Sequence, residues 1–253
     1  MKISIITAVF NRYETIGQAM QSIQGQGYRS VEHIVQDGGS TDGTLDVVSA
    51  LSNPQTHIVS ASDKGIYDAI NKGIARASGD VIGLMHSDDY FAGRDVLEKV
   101  AQAFSDPQTQ GVYGDLDYVS AADTSRVVRH WKSGDFNPAK LKRGWMPPHP
   151  TLYLRRSVFE NFGNYDTSYT ISADYDAILR WLWTEQIRLA YIPEVLVKMR
   201  VGGESNQSLE RILKKSREDY RALRSNRVGG LGTLLFKNAG KIGQFMPNRK
   251  KEI

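Results

Sequence analysis

The feature that most constrains this chain is the run ISIITAVF at residues 3–10, apolar or β-branched on both of its alternating faces. A strand with two apolar faces must be covered on both sides, as happens in the parallel sheets of α/β proteins. The downstream sequence repeats that theme. Residues 14–24 carry Ile16, Met20 and Ile23 at helical spacing, and residues 31–36 form a second β-rich run that ends in the turn cluster Asp37, Gly38, Gly39 and Ser40. Weaker and stronger strands are expected at 58–59 and 81–85, with a helix over 66–77 that sets Ile66, Ile70 and Ile74 on one stripe and Asp68 and Asn71 on another. Strands alternating with helices predict βαβ units. Beyond residue 105 the alternation weakens: strands at 112–119 and 127–131, an irregular stretch over 134–150, a helix over 172–185, a short strand at 189–192, and helical patterns over 205–227 and 231–245.

The chain has 253 residues, 40% hydrophobic and 24% charged, which describes a soluble globular protein. It contains no cysteine, so disulfides, thiolate nucleophiles and Cys-ligated metals are excluded, in keeping with a reducing cytoplasm. Its apolar runs fall short of the roughly 18 residues needed to cross a bilayer, and the first meets Asn11 and Arg12 without a signal-peptide cleavage site. The net charge of +4 is uneven: residues 201–253 hold 12 Lys and Arg against 5 Asp and Glu, while residues 1–200 hold 20 against 23. A nucleic-acid footprint spread over the main body is therefore not expected.

Ligands of open parallel sheets sit at the carboxyl ends of the strands. Here those ends are polar: Asn11 after the first, Asp37 after the second, Asp63 and Lys64 after the third, Asp88 and Asp89 after the fourth. Asp42 reads as a helix cap. Neither the dinucleotide-binding GxGxxG nor the GxxxxGK[ST] phosphate loop occurs, whereas two adjacent acids after an apolar strand suit Mg²⁺ or Mn²⁺ with coordination sites left for a diphosphate.

The ordered blocks SIITAVFN (4–11), VQDGGSTDGT (35–44), DKGIYDAINKG (63–73), GD (79–80), SDD (87–89) and SADYD (172–176) resemble the family 2 glycosyltransferases and their GT-A fold over roughly residues 1–200. PHPTLYLRR at 148–156 looks most like bacterial members that build O-antigen, capsule or exopolysaccharide. The resemblance implies a mostly parallel, Rossmann-like sheet with flanking helices and a helical C-terminal extension, in three parts: a nucleotide-sugar half (1–105), an acceptor and catalytic half (106–204) and a basic extension (205–253). It implies inverting transfer from a UDP-, GDP- or dTDP-sugar to a glycan or lipid-linked glycan, with Mn²⁺ or Mg²⁺. Asp37 would bind the donor base with Thr7 and Asn11 beside it, Asp88 the ribose, Asp89 the metal, and Asp174 would be the catalytic base, with Asp176 a structural rival.

Other residues stay open between two roles. Asp63, Lys64, Asp68 and Asn71 face the donor, or Asp68 and Asn71 are solvated helix residues; His149 touches the diphosphate or metal, or lies in an exposed loop; His86, at a strand end, packs or ligates. Trp131, Trp145, Tyr153 and Tyr169 stack on sugar or fill the core, and GGESN at 202–206 resembles a loop closing over the donor. A nucleotidyltransferase would instead show a Gly-rich, basic phosphate loop after the first strand, and a non-catalytic binding module would lose Asp89 and Asp174. The basic, apolar-studded tail either lies on an anionic membrane, at its cytoplasmic face, or packs as a helix on the domain.

Overall fold

The structure, a computed structural model, describes residues 1–201 and 209–244. The segment 202–206, expected as a donor-closing loop, lies outside the described residues.

The first apolar run becomes β1 (Ile3–Val9), with helix α1 (Tyr13–Gln24) and strand β2 (Val31–Asp37) after it. Next along the chain are α2 (Thr44–Ala50), β3 (Thr56–Ser60), α3 (Ile66–Arg76), β4 (Val81–Leu84), β5 (Tyr90–Phe91) and α4 (Val96–Ala103). The second half holds β6 (Gly111–Val119), β7 (Val127–Trp131), α5 (Pro138–Leu141), a 3₁₀ turn (His149–Thr151), β8 (Tyr153–Arg155), α6 (Arg156–Phe162) and α7 (Ala173–Leu179). A π-helical turn (Arg180–Thr184), β9 (Leu189–Arg200), α8 (Leu209–Ser225) and α9 (Leu231–Gln244) complete the described chain.

One sheet carries all of these strands in the order β3-β2-β1-β4-β8-β6-β9-β5, with β7 paired on β6. The β3-β2-β1-β4 half is parallel. The remainder is mixed: β8 runs antiparallel to β4 and β6, while β6 and β9 are parallel. Alternation along β1 divides the core as a strand with period two requires: Ile3 and Ile5 face α1 and α4, while Ile6 faces α3 and α7. Each fully buried side chain of this kind contributes about 1.5–3 kcal/mol. Helix α3 lies so close to β1 that a Cβ on Gly73 would sit 2.4 Å from the Ile6 side chain.

Three expectations need correction. Ile66 is 46% exposed and stands off the inner stripe of α3, whose buried face is Tyr67, Ala69, Ile70, Gly73 and Ile74. The strand expected to stop at 192 runs to Arg200, because irregular register opposite Gly114 and Asp115 lets the strand pass Pro193 and Glu194 and resume pairing. The helix expected over 172–185 widens into its π turn after Leu179.

Candidate active site

Parallel register fixes where the strand-end residues meet. Asp37 lies opposite Val9 on one side and Ser60 on the other, so β1, β2 and β3 end along one edge. Asp37 is buried and accepts hydrogen bonds from the Gly39 and Ser40 amides (2.9 and 3.1 Å) and the Ser60 hydroxyl (2.6 Å). Burial alone would raise its carboxyl, but those donors hold its pKa below the ordinary value. Asn11, at a positive φ of 50°, buttresses the same turn: its side-chain oxygen accepts from Thr41 N–H (2.9 Å) and its own N–H donates to Ser40 Oγ (2.8 Å). Asp63 closes the edge, with Oδ1 accepting Gly65 N–H (2.8 Å) and the exposed Lys64 beside it.

The acids after β4 have different surroundings. Asp88 is half-buried, whereas Asp89 is 1% exposed, with Oδ1 accepting Arg200 N–H at 3.3 Å and Oδ2 buried without a hydrogen-bond partner. Burial and the neighbouring Asp88 push the Asp89 carboxyl well above the ordinary carboxylate range. Arg200, at the end of β9, also donates through its guanidinium to the Asp88 carbonyl and to Gln18. An enclosed carboxylate oxygen with no donor is a place that a cation can satisfy. Among the described residues no three His, Asp or Glu side chains form a cage. Two acids fit Mg²⁺ or Mn²⁺, which take one or two protein carboxylates and leave the rest of their sphere to phosphate and water.

Between the 140s loop, β6–β7, α7 and the last two helices lies a cavity of about 530 Å³. Asp174 faces it from the first turn of α7, with His86, His149, Tyr67, Trp131 and Trp145 in the wall. The Tyr67 hydroxyl bridges the Ile171 carbonyl (2.6 Å) and Asp174 Oδ1 (3.1 Å). Burial raises the Asp174 carboxyl, but His149, Lys215 and Lys237 outweigh it, so its pKa is lowered and it stays ionised. His149 is buried with Nε2 2.9 Å from the Tyr165 hydroxyl, and burial pushes its pKa down to about 4, leaving it neutral at pH 7.

Several expected site residues have other duties here. Thr7 is enclosed within the sheet, its hydroxyl 2.9 Å from His33 Nε2. Asn71 spends both ends of its amide on the Tyr165 backbone (2.8 and 3.1 Å), tying α3 to the second half of the chain rather than reaching a donor. Asp68 accepts Lys64 N–H at the start of α3 and pairs with Lys72 at 2.9 Å. Tyr153 and Tyr169 are core residues, 0% and 3% exposed, while Trp131 and Trp145 line the cavity. Asp176 is buried beneath Asn226 (2.9 Å), Tyr169 and Ser225, and Arg180 donates to the Phe162 and Asn164 carbonyls rather than to either acid of α7. Asp42 precedes Gly43, the cap residue of α2, and accepts the Tyr13 and Thr44 amides at the first residues of α1 and α2.

Sequence reasoning passed over Tyr67 and the far helices. Tyr67 stood inside a block singled out for its acids, and a tyrosine at a helix start carries no signal of its own. Two buried groups, Asp219 of α8 and Lys237 of α9, pair at 2.8 Å, with the Lys237 ammonium 3.1 Å from the Tyr175 ring centroid. Nothing in their spacing marks them as partners.

A family model for glycosyl transferase family 2 matches residues 4–171, well over half of the chain. The chain belongs to glycosyl transferase family 2. An uncharacterised glycosyltransferase of Mycobacterium tuberculosis is 33% identical over 181 residues, covering 70% of this chain and 68% of the relative. A PGL/p-HBAD biosynthesis glycosyltransferase of Mycobacterium bovis is 27% identical over 212 residues, 82% of this chain and 80% of the relative. Among solved structures, Staphylococcus aureus TarS superposes with a TM-score of 0.68 at 17% identity, over 90% of this chain and 65% of that one. The mannosyltransferase PcManGT from Pyrobaculum calidifontis, solved with GDP-Man and Mn²⁺, gives 0.66 at 16% identity, over 94% and 68%. The fold is therefore GT-A, and the family makes the chain a glycosyltransferase.

Proposed function

We propose that this glycosyltransferase is inverting and metal-dependent, moving one monosaccharide from a UDP-, GDP- or dTDP-sugar to a glycan or lipid-linked glycan in surface polysaccharide assembly. The observation that carries this is Asp174: an ionised carboxylate on a fixed helix start, facing a cavity large enough for a sugar.

Inversion needs one displacement. The acceptor hydroxyl attacks the anomeric carbon, the bond from that carbon to the phosphate oxygen breaks, and the nucleoside diphosphate leaves with the electron pair. The acceptor's proton passes to Asp174, which a positioned base must hold close as charge develops. Tyr67 orients the carboxylate through Oδ1, and neutral His149 stands beside it. Trp131 and Trp145 offer ring faces to a sugar, and Arg143, Arg211 and Lys215 bring positive charge to the same cavity, suiting an acceptor that bears phosphate or carboxylate. On the donor side the base is assigned to Asp37 and Asn11, the ribose to Asp88, and contacts further along the edge to Asp63 and Lys64.

The metal is assigned to Asp89, on the strength of its unpartnered buried oxygen. When bound, a divalent cation there would neutralise the diphosphate as it leaves. The solved neighbours that hold GDP-Man with Mn²⁺ and UDP-GlcNAc support a nucleotide-diphosphate donor here. Work at a membrane surface is supported by exposed apolar side chains of the last two helices: Leu213 of α8, followed by Lys214 and Lys215, and Leu231 and Leu235 of α9, each more than 60% exposed. No helix among the described residues is long and apolar enough to cross a membrane.

A donor panel tests the reading. Protein with Mn²⁺ is incubated with UDP-, GDP- and dTDP-sugars and nucleotide release is followed. Release from one nucleotide class, lost on chelation, is expected; release that is indifferent to chelation would remove the metal from the scheme.

A further inference from the structure

Helix α8 lies beyond the stretch matched to the family, yet one of its side chains reaches the 170–172 loop that leads into α7 and Asp174. Glu218 accepts hydrogen bonds from the amides of Thr170 (3.1 Å), Ile171 (2.8 Å) and Ser172 (2.9 Å) and from the Thr170 hydroxyl (2.9 Å). Both carboxylate oxygens are used. Local capping does not do this work: Ser172, at the cap of α7, makes no side-chain cap bond, and its Oγ is buried without a partner. Three successive backbone donors at the mouth of α7 are thus satisfied by an acid from a distant helix. These bonds outweigh burial and hold the Glu218 carboxyl below its ordinary range, so the acceptor stays ionised.

The opposite side of the loop is held from α3. There the Tyr67 hydroxyl takes the Ile171 carbonyl and touches Asp174 Oδ1. Residue 171 is therefore gripped through its N–H by α8 and through its C=O by α3, three positions before Asp174. Helix α8 is itself locked in place by Ala222 and Leu223, both fully buried, by the Asn226–Asp176 bond, and by the Asp219–Lys237 pair that fastens α9. Gly144, with φ of +76°, lets the 140s wall of the cavity come within contact of Lys237, where a Cβ would stand 2.6 Å from its Cα.

We propose that Glu218 is a positioning residue of the transfer site, holding the 170–172 loop so that Asp174 meets the acceptor hydroxyl. This rests on the reading of Asp174 as the base. A misplacement of about 1 Å at such a centre costs on the order of 10²-fold in rate, whereas the hydrogen bonds taken as simple glue would be felt in stability alone.

The test follows nucleotide release by the full-length chain, with the donor sugar found in the panel and water or acceptor as nucleophile. Glu218→Ala should lower kcat by about 10–100-fold with the donor KM and nucleotide affinity nearly unchanged. Glu218→Gln, which keeps one of two acceptor oxygens, should fall between that variant and the wild type. Glu210→Ala, the same charge change at an exposed position of α8, should match the wild type. Unchanged kcat in Glu218→Ala would overturn the proposal, even with a lower melting temperature. Should that variant fail to fold, Glu218→Gln decides: reduced kcat at unchanged KM supports the proposal, and wild-type kcat overturns it. Asp174→Asn releasing nucleotide at the wild-type rate would overturn the reading of Asp174 itself, which separates the two failures.

Discussion

At the scale of single residues, neighbouring acids in this protein are given opposite environments by the fold. Asp88 is half-buried and Asp89 enclosed; Asp174 faces a cavity and Asp176 faces helix α8. The first contrast is testable by calorimetry of UDP or GDP with and without Mn²⁺. Asp89→Ala should abolish the Mn²⁺ dependence of binding while the fold stays intact, and Asp88→Ala should weaken binding while keeping that dependence. If instead Asp88→Ala alone abolishes it, Asp89 is only the pin that holds β9 through Arg200 N–H. Strand ends are legible from local pattern, which is how Asp37, Asp88 and Asp89 drew attention, whereas Asp174 came from the resemblance to the family. Which polar atoms were already spoken for was not: Asn71 and Thr7 look available in the sequence, and are occupied by Tyr165 and His33, residues far along the chain.

At the scale of elements, β2 carries a pH dependence. Burial pushes His33 down to about 3 from 6.5, so it is buried neutral. For Glu32, burial is outweighed by Lys2, Ser4 and Ser78, which hold it at about 2 instead of 4.5. Both folded pKa values lie below the unfolded ones, so between them the unfolded chain binds more protons than the native one. Stability should therefore be complete above pH 6.5 and fall as pH drops, first through His33 and then, below about 4.5, through Glu32 as well. Thermal unfolding of wild type and His33→Gln across that range checks it: the variant should lose the step nearer neutrality and keep the acidic one, and identical slopes would contradict the assignment. Long elements such as β1, β2 and α3 could be foreseen from periodicity. Strands β5 and β8, with two and three residues, could not, and the passage of β9 beyond Pro193 depends on a register irregularity opposite Gly114 that only the partner strand reveals.

Across the whole molecule, the basic tail proves to be two things at once. Its inner face packs on α7 and the 140s loop through Ala222, Leu223 and Lys237, and its outer face leaves Leu231 and Leu235 at 65% and 69% exposure. Truncating the chain after Arg227 would strip the Lys237 ammonium from a buried Asp219, so it is a poor probe of membrane binding. Replacing Leu231 and Leu235 together with Asp leaves that ion pair alone. Pelleting with phosphatidylglycerol vesicles should be salt-sensitive in the wild type and lost in this variant; equal pelleting, or none in either, would remove the membrane role. Transfer at Asp174 is tested most directly by comparing Asp174→Asn with the wild type on the donor that the panel identifies, with nucleotide affinity measured alongside. The variant should bind nucleotide almost normally and release it about 10²–10⁴-fold more slowly, and release at the wild-type rate would contradict the assignment of Asp174 as the base.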